Sequence, residues 1–159
     1  MMGEKMQHTG REARSTARLN AVQAAYQLLS GDAPVTRVID EFLKYRIGQE
    51  QDGVVLGEAD QELFADILRG IDTRGDEITA ILDDYMPENR PLASQEKLLQ
   101  AILRCAVYEL LARIDVPAAV VINEYLDVAH AFYAGTEPRF VNGVLDRAAR
   151  RLRAAEMKK

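Results

Sequence analysis

The stretch REARSTAR, residues 11–18, sets Arg11, Arg14 and Arg18 three and four residues apart. On a helix these arginines line one face and its leading edge. A guanidinium fork holds a phosphate through two hydrogen bonds and stacks flat on a base, which an ammonium group cannot do. A second basic segment, EPRFVNGVLDRAARRLR at 137–153, places Arg139 and Phe140 in what reads as the first turn of a helix. Free backbone N–H groups and the helix dipole favour an anion there. A Phe beside such an Arg can stack an unpaired base. Plainer readings stand beside these: a solvated cationic face for the first three arginines, and packing on Val144 for Phe140. Arg147, Arg150 and Arg151, with Arg153 nearby, read as a solvated face. Gly143 inside a helix costs about 0.5–1 kcal/mol relative to Ala, so it points to close backbone approach by a neighbouring helix or a ligand.

Other chemistries find little support. A metal site needs several converging ligands, and the chain has only His8 and His130 with a single Cys105. Cys105 lies in a strongly apolar segment, where a thiol behaves as a small hydrophobe. There is no Ser, His and Asp set, no phosphate-cradling glycine loop and no dinucleotide fingerprint. Asp83 and Asp84 sit in an acidic stretch that water can solvate. The reading is of a binding protein without metal or cofactor, not an enzyme.

The elements that must position these side chains are all helical. Apolar residues recur at intervals of three and four, punctuated by Pro and Gly, and nothing reads as a strand. The periodicity predicts helices near residues 14–29, 35–46, 59–71, 76–85, 95–113 and 138–155, with a further one that has Pro117 in its first turn and runs to about 134. Gly31 and Pro34 stop the first, and the basic edge at 11–18 lies beside its apolar stripe, which includes Tyr26. IGQEQDGVVLGEAD breaks the pattern and reads as a mobile loop. PENRPLAS, with two prolines flanking polar residues, reads as a joint. The segment after it is apolar on more than one stripe, as in a helix enclosed by several neighbours. Pro117 suits the start of the following helix. The fold class is therefore all-α, about seven helices, with one domain over 11–155 divided into small helical subdomains at roughly 11–86 and 87–155. Residues 1–10 and 156–159 read as tails, the first of them disordered.

At 159 residues the chain can bury a real core. Its hydrophobic share of 48% and charged share of 28% are those of a soluble globular protein. No apolar run approaches the roughly 20 residues a membrane span requires, and MMGEKMQHTG lacks the apolar stretch of a signal peptide. One cysteine excludes an internal disulfide and fits a reducing cytoplasm. The net charge of −5 hides an asymmetry, because residues 32–84 carry fourteen acidic and five basic side chains, while both flanking segments are net positive. Such a surface can hold an anion at its ends while its middle repels one.

Four segments, ARLNAVQAAYQ, ILRCAVYEL, DVPAAVVINEYLDVAHAF and RFVNGVLDRAA, stand in an order and spacing that resembles the NusB family of bacterial transcription antitermination factors. The resemblance covers roughly residues 11–153. It implies an all-helical, non-catalytic protein that pairs with a small-subunit ribosomal protein, NusE. The pair would bind boxA, a short single-stranded RNA element of ribosomal RNA leaders, and help RNA polymerase pass terminators as part of an antitermination complex. Carried over by motif, the RNA contacts fall on Arg14 and Arg18, with Arg11 one turn earlier, and on Arg139 and Phe140. Tyr26 matches a family tyrosine near the RNA and partner surfaces. Ser15 and Thr16 depart from a segment that is often more basic in the family, and YAGTEP departs from its more acidic or Ser-rich loops. Arg104 and Glu124 read as a structural interhelical ion pair. Two alternatives stay open: a protein-only adaptor, or a self-associating homodimer whose RNA surface is occluded. NusB-like domains also occur fused to ribosomal RNA cytosine methyltransferases, but no cofactor-binding segment is present to support methyl transfer here.

Overall fold

The computed structural model describes residues 2–45 and 58–157, with side chains from Gly10 onward in the first stretch and from Asp60 in the second. Among them are seven α-helices: α1 Met2–Ser30, α2 Val35–Tyr45, α3 Glu58–Thr73, α4 Gly75–Tyr85, α5 Lys97–Ala112, α6 Ala118–Phe132 and α7 Glu137–Leu152. A 3₁₀ turn at Leu92–Ser94 lies in the proline-flanked joint, and none of the described residues forms a strand. Most of the loop expected at 47–60 lies outside the described residues. Helix α1 starts at Met2 rather than near Arg14, so it includes residues read from sequence as a tail.

Local chemistry explains the boundaries. The Gly31 N–H donates to the Gln27 carbonyl at 3.0 Å, closing the last turn of α1, and the Pro34 carbonyl accepts the first N–H bonds of α2. Pro117 sits just before α6, its carbonyl accepting from Val121 at 3.1 Å. Pro138 occupies the first turn of α7, where a missing N–H costs nothing, and Glu137 beside it complements the dipole.

Helix α5 is the hub. It touches α1, α3, α4, α6 and α7, and its residues Leu99 to Leu110 are buried almost without interruption. This is why its apolar residues occupy more than one stripe. Helix α1 packs chiefly on α3 and α5 and also meets α2 and α6, so both groups of helices drawn at the joint share it. Cys105 is fully enclosed, and burial pushes its thiol pKa up, as suits a small core hydrophobe.

Two contacts fix the hub closely. Gly70 on α3 faces the Tyr108 ring so tightly that a Cβ there would lie 2.0 Å from Cε1. The glycine flagged in the sequence, Gly143, has only the Arg147 guanidinium within reach, at 3.4 Å, so the close approach is at residue 70. At the C-terminal end of α5, Arg153 departs from the solvated face expected near it. It is buried, and its guanidinium donates to the carbonyls of Leu110 (2.7 Å), Arg113 (2.7 Å), Val116 (2.9 Å) and Glu109 (3.3 Å). The Glu109 and Arg113 carbonyls also accept backbone N–H groups, from Arg113 and Val116, so Arg153 reinforces the turn that ends α5 and adds a donor for Leu110 and Val116. Arg147, Arg150 and Arg151 are exposed; Arg147 and Arg151 tie α7 to α4 through the Tyr85 carbonyl and Asp84.

Candidate nucleic-acid interface

The three N-terminal arginines divide by burial. Arg11 and Arg14 are exposed and make no hydrogen bond or ion pair with a described residue. Arg18 is 2% exposed and grips Glu109 of α5 through Nε (2.8 Å) and Nη2 (3.0 Å), while Nη1 lies 3.4 Å from Glu124 of α6. Burial alone would lower the Arg18 pKa, but the hydrogen bond and charge of Glu109 raise it above its ordinary value. The expectation that Arg18 offers a free fork to phosphate is therefore corrected. Its guanidinium is already held by carboxylates, and its place is beneath the surface, fixing α1 against α5 and α6.

The same network corrects the expected Arg104–Glu124 pair. Arg104 donates to the Thr79 hydroxyl at 2.8 Å, on the other side of α5. Glu124 accepts instead from Ser15, at 3.1 and 3.0 Å, and faces Arg18. Ser15, a departure from the basic family pattern, thus joins α1 to α6. Tyr125 completes the cluster by donating to Glu109 at 2.5 Å from a fully buried ring.

Above this network Arg11, Arg14 and Arg18 line a concavity of about 500 Å³ with Arg113, Val116, Pro117 and Val120. Three carboxylates, Asp60, Asp115 and Glu124, share its walls. Glu124 is engaged by Ser15 and Arg18, leaving Arg11 and Arg14 as its uncommitted cations. Tyr26 lines a separate, more apolar groove of about 470 Å³ with Gln23, Gln27, Glu96, Leu98 and Phe132. Tyr26 and Phe132 are 44% and 38% exposed, enough for either ring to stack with a ligand. One α1–α6 seam joins the two sites, because Ser15 and Arg18 meet Glu124 near its start and Tyr26 and Phe132 line one groove near its end. Arg14 and Tyr26 are twelve residues apart on α1, about 18 Å at the α-helical rise of 1.5 Å per residue.

Arg139 and Phe140 line neither concavity. Arg139 is exposed and has no partner among the described residues. Phe140 is half-buried against the core, which bears out part of the packing reading, and the Arg90 guanidinium lies over its ring at 4.4 Å from the centroid. They connect to the Tyr26 groove through neighbouring contacts: Arg90 donates to Gln95 at 3.2 Å, and the adjacent Glu96 accepts from Tyr133. The six expected residues thus lie on one buried arginine, one cationic concavity and one aromatic end, not in a single pocket. Arg90, Phe132, Glu109 and Tyr125 do not read as functional residues from sequence, Tyr125 and Phe132 reading only as packing positions of their helix. Only the basic character of the joint, in NRP, could have pointed to Arg90.

Among the described residues no group of His, Cys, Asp and Glu could hold a metal ion, and no helix is long and apolar enough to cross a membrane.

Comparison with known proteins gives concordant matches. The model of the NusB family matches residues 15–150. Transcription antitermination protein NusB of Mesorhizobium japonicum is 42% identical over 148 residues, covering 93% of this chain and 94% of that protein. The protein of the same name from Gluconobacter oxydans is 44% identical over 146 residues, covering 89% of each. Among solved structures, T. maritima NusB superposes with a TM-score of 0.74 at 27% identity, covering 86% of this chain and 90% of that one.

Proposed function

The chain belongs to the NusB family of transcription antitermination proteins, and from that premise we propose that it acts as a non-catalytic RNA-binding factor in ribosomal RNA transcription. In this reading it binds the single-stranded boxA element of ribosomal RNA leaders together with the ribosomal protein NusE, within an antitermination complex on RNA polymerase. The observation that carries the RNA reading is the pair Arg11 and Arg14. Both are exposed and make no carboxylate contact among the described residues, at the head of a seam that leads to the open rings of Tyr26 and Phe132. Cations supply the affinity for a backbone, and flat rings favour unpaired bases. Arg139 adds a third uncommitted guanidinium at the aromatic end.

Binding of a boxA oligonucleotide across a series of salt concentrations, with NusE present, tests this. For each phosphate contact removed from a single strand, the slope of log affinity against log salt falls by about 0.7. The Arg11→Ala/Arg14→Ala variant should therefore bind more weakly, with a slope shallower by about 1.4 if each arginine holds one phosphate. Its thermal unfolding should match the wild type, since neither side chain has a partner among the described residues. Unchanged affinity and slope in Arg11→Ala/Arg14→Ala/Arg139→Ala would reject the assignment.

A further inference from the structure

Arg90 leaves the joint between α4 and α5 and ends over the Phe140 ring, with its guanidinium carbon 4.4 Å from the ring centroid. We propose that Arg90 and Phe140 form a clamp that takes one unpaired RNA base between guanidinium and ring. The proposal rests on the RNA reading above and adds to it a residue from a different part of the chain.

Phe140 packs against the core, and Arg90 lies over its ring, so a base reaching the ring must meet the guanidinium first. Arg90 is exposed and has no carboxylate partner among the described residues. Its side-chain hydrogen bond goes to the Gln95 amide oxygen at 3.2 Å. Gln95 is 9% exposed and donates back to the carbonyls of Arg90 (3.3 Å) and Pro91 (3.4 Å). The backbone at residue 90 is thus anchored, whereas the guanidinium is held by one long hydrogen bond and one ring contact. An Arg on a Phe face at an exposed site is a weak interaction, and both planes stack readily on nucleobases. Inserting a base exchanges one such contact for two, and no described carboxylate has to give up the guanidinium. Arg139, one residue before the ring, is placed to meet the adjoining phosphate.

The test uses the full chain with NusE and a short single-stranded boxA RNA carrying 2-aminopurine at one position at a time. In wild type one position should be quenched by stacking. Arg90→Lys keeps the charge but loses the plane, so it should weaken binding about tenfold, within the range for losing a base-stacking partner. Its salt slope and thermal unfolding should stay unchanged, and that one position should lose its quenching. Phe140→Ala should remove the same signal, and the double variant should be no weaker than the worse single one, because the two residues act on one base. Arg90→Lys at wild-type affinity with quenching intact would overturn the clamp, as would tighter binding by Arg90→Ala, the mark of a residue that merely blocks the ring. If those outcomes coincide with weakened binding by Arg11→Ala/Arg14→Ala, the clamp alone falls. Absence of RNA binding by the wild type would remove the RNA reading and the clamp together.

Discussion

Arg18 and Glu109 are 91 residues apart in the chain and form a two-point ion pair with almost no solvent contact, Arg18 at 2% exposure and Glu109 at 0%. Glu109 also accepts from Tyr125, so one carboxylate ties α1, α5 and α6 together. The surface that carries Arg11 and Arg14 is built on this join.

Removing either partner strands a buried charge, which costs about 3–5 kcal/mol. Arg18→Ala and Glu109→Ala should each lose stability of that order in urea unfolding, and Arg18→Met/Glu109→Leu should lose much less than the sum of the single losses. The salt slope of RNA binding by folded Arg18→Ala should stay near wild type, because Arg18 reaches no phosphate. A shallower slope with unaltered urea midpoint would mean that Arg18 contacts RNA after all.

Gly70 makes a sharper packing prediction. A methyl group at residue 70 must displace the Tyr108 ring or part α3 from α5, since its nearest ring atoms would lie at 2.0 and 2.2 Å. Overpacking a close contact costs about 1–3 kcal/mol. Gly70→Ala should reach or exceed that in urea unfolding, whereas Gly143→Ala, whose methyl would meet only the flexible Arg147 guanidinium at 3.4 Å, should be neutral or stabilising. Tyr108→Leu should recover part of the loss in Gly70→Ala. Equal effects of the two glycine substitutions would contradict the packing.

The helices were legible because their signal is local. An apolar residue every third or fourth position, stopped by Gly31, Pro34 or Pro117, predicts an amphipathic helix whatever it later packs against. What each helix meets is not local. Arg11, Arg14 and Arg18 share residue type and spacing, and only the arrival of Glu109 separates the buried one from the two exposed ones. Gly143 attracted notice because glycine weakens a helix, yet the crowded glycine is Gly70, whose partner Tyr108 lies on another helix. Arg153 looked like its neighbours Arg150 and Arg151, but the last turn of α7 aims it at the carbonyls ending α5. Arg90 sat in a polar joint without periodicity, so nothing in the sequence linked it to Phe140.

Arg153 offers a prediction about how that end of the bundle is held. Its guanidinium accounts for four carbonyls from residues 109 to 116 and pairs with Glu156 at 2.6 Å. Arg153→Ala would take the donor from the Leu110 and Val116 carbonyls, each costing about 1–3 kcal/mol if water cannot reach it, while those of Glu109 and Arg113 keep their backbone N–H donors. The expected outcome is a loss of several kcal/mol in urea unfolding, with faster amide exchange concentrated in the last turn of α5. Arg153→Lys, with fewer donors and no fork, should restore only part of it. Wild-type exchange at Ala112 and Arg113 in Arg153→Ala would show that the carbonyls have other partners.

The Tyr108 hydroxyl links packing to alkaline pH. It donates to Asp66 at 2.8 Å, and Asp66 also accepts from Arg113 at 3.2 Å. Burial first, then the bond to Asp66 and the charge on that carboxylate, push the Tyr108 pKa up to about 12. An unfolded tyrosine titrates near 10. Between these values the unfolded chain has lost a proton that the folded chain keeps, so this contribution is complete below about pH 10 and declines as pH rises toward 12. The slope from this one group approaches about 1.4 kcal/mol per pH unit inside the window. Tyr125 and Tyr133 also have raised pKa values, so the wild type should soften with several phenols contributing. Tyr108→Phe isolates one of them: urea midpoints followed through the window should fall less steeply with pH than in wild type, and tyrosinate absorbance of the folded protein should lose a component near pH 12. Parallel declines in the two proteins would show that Tyr108 does not hold its proton through Asp66.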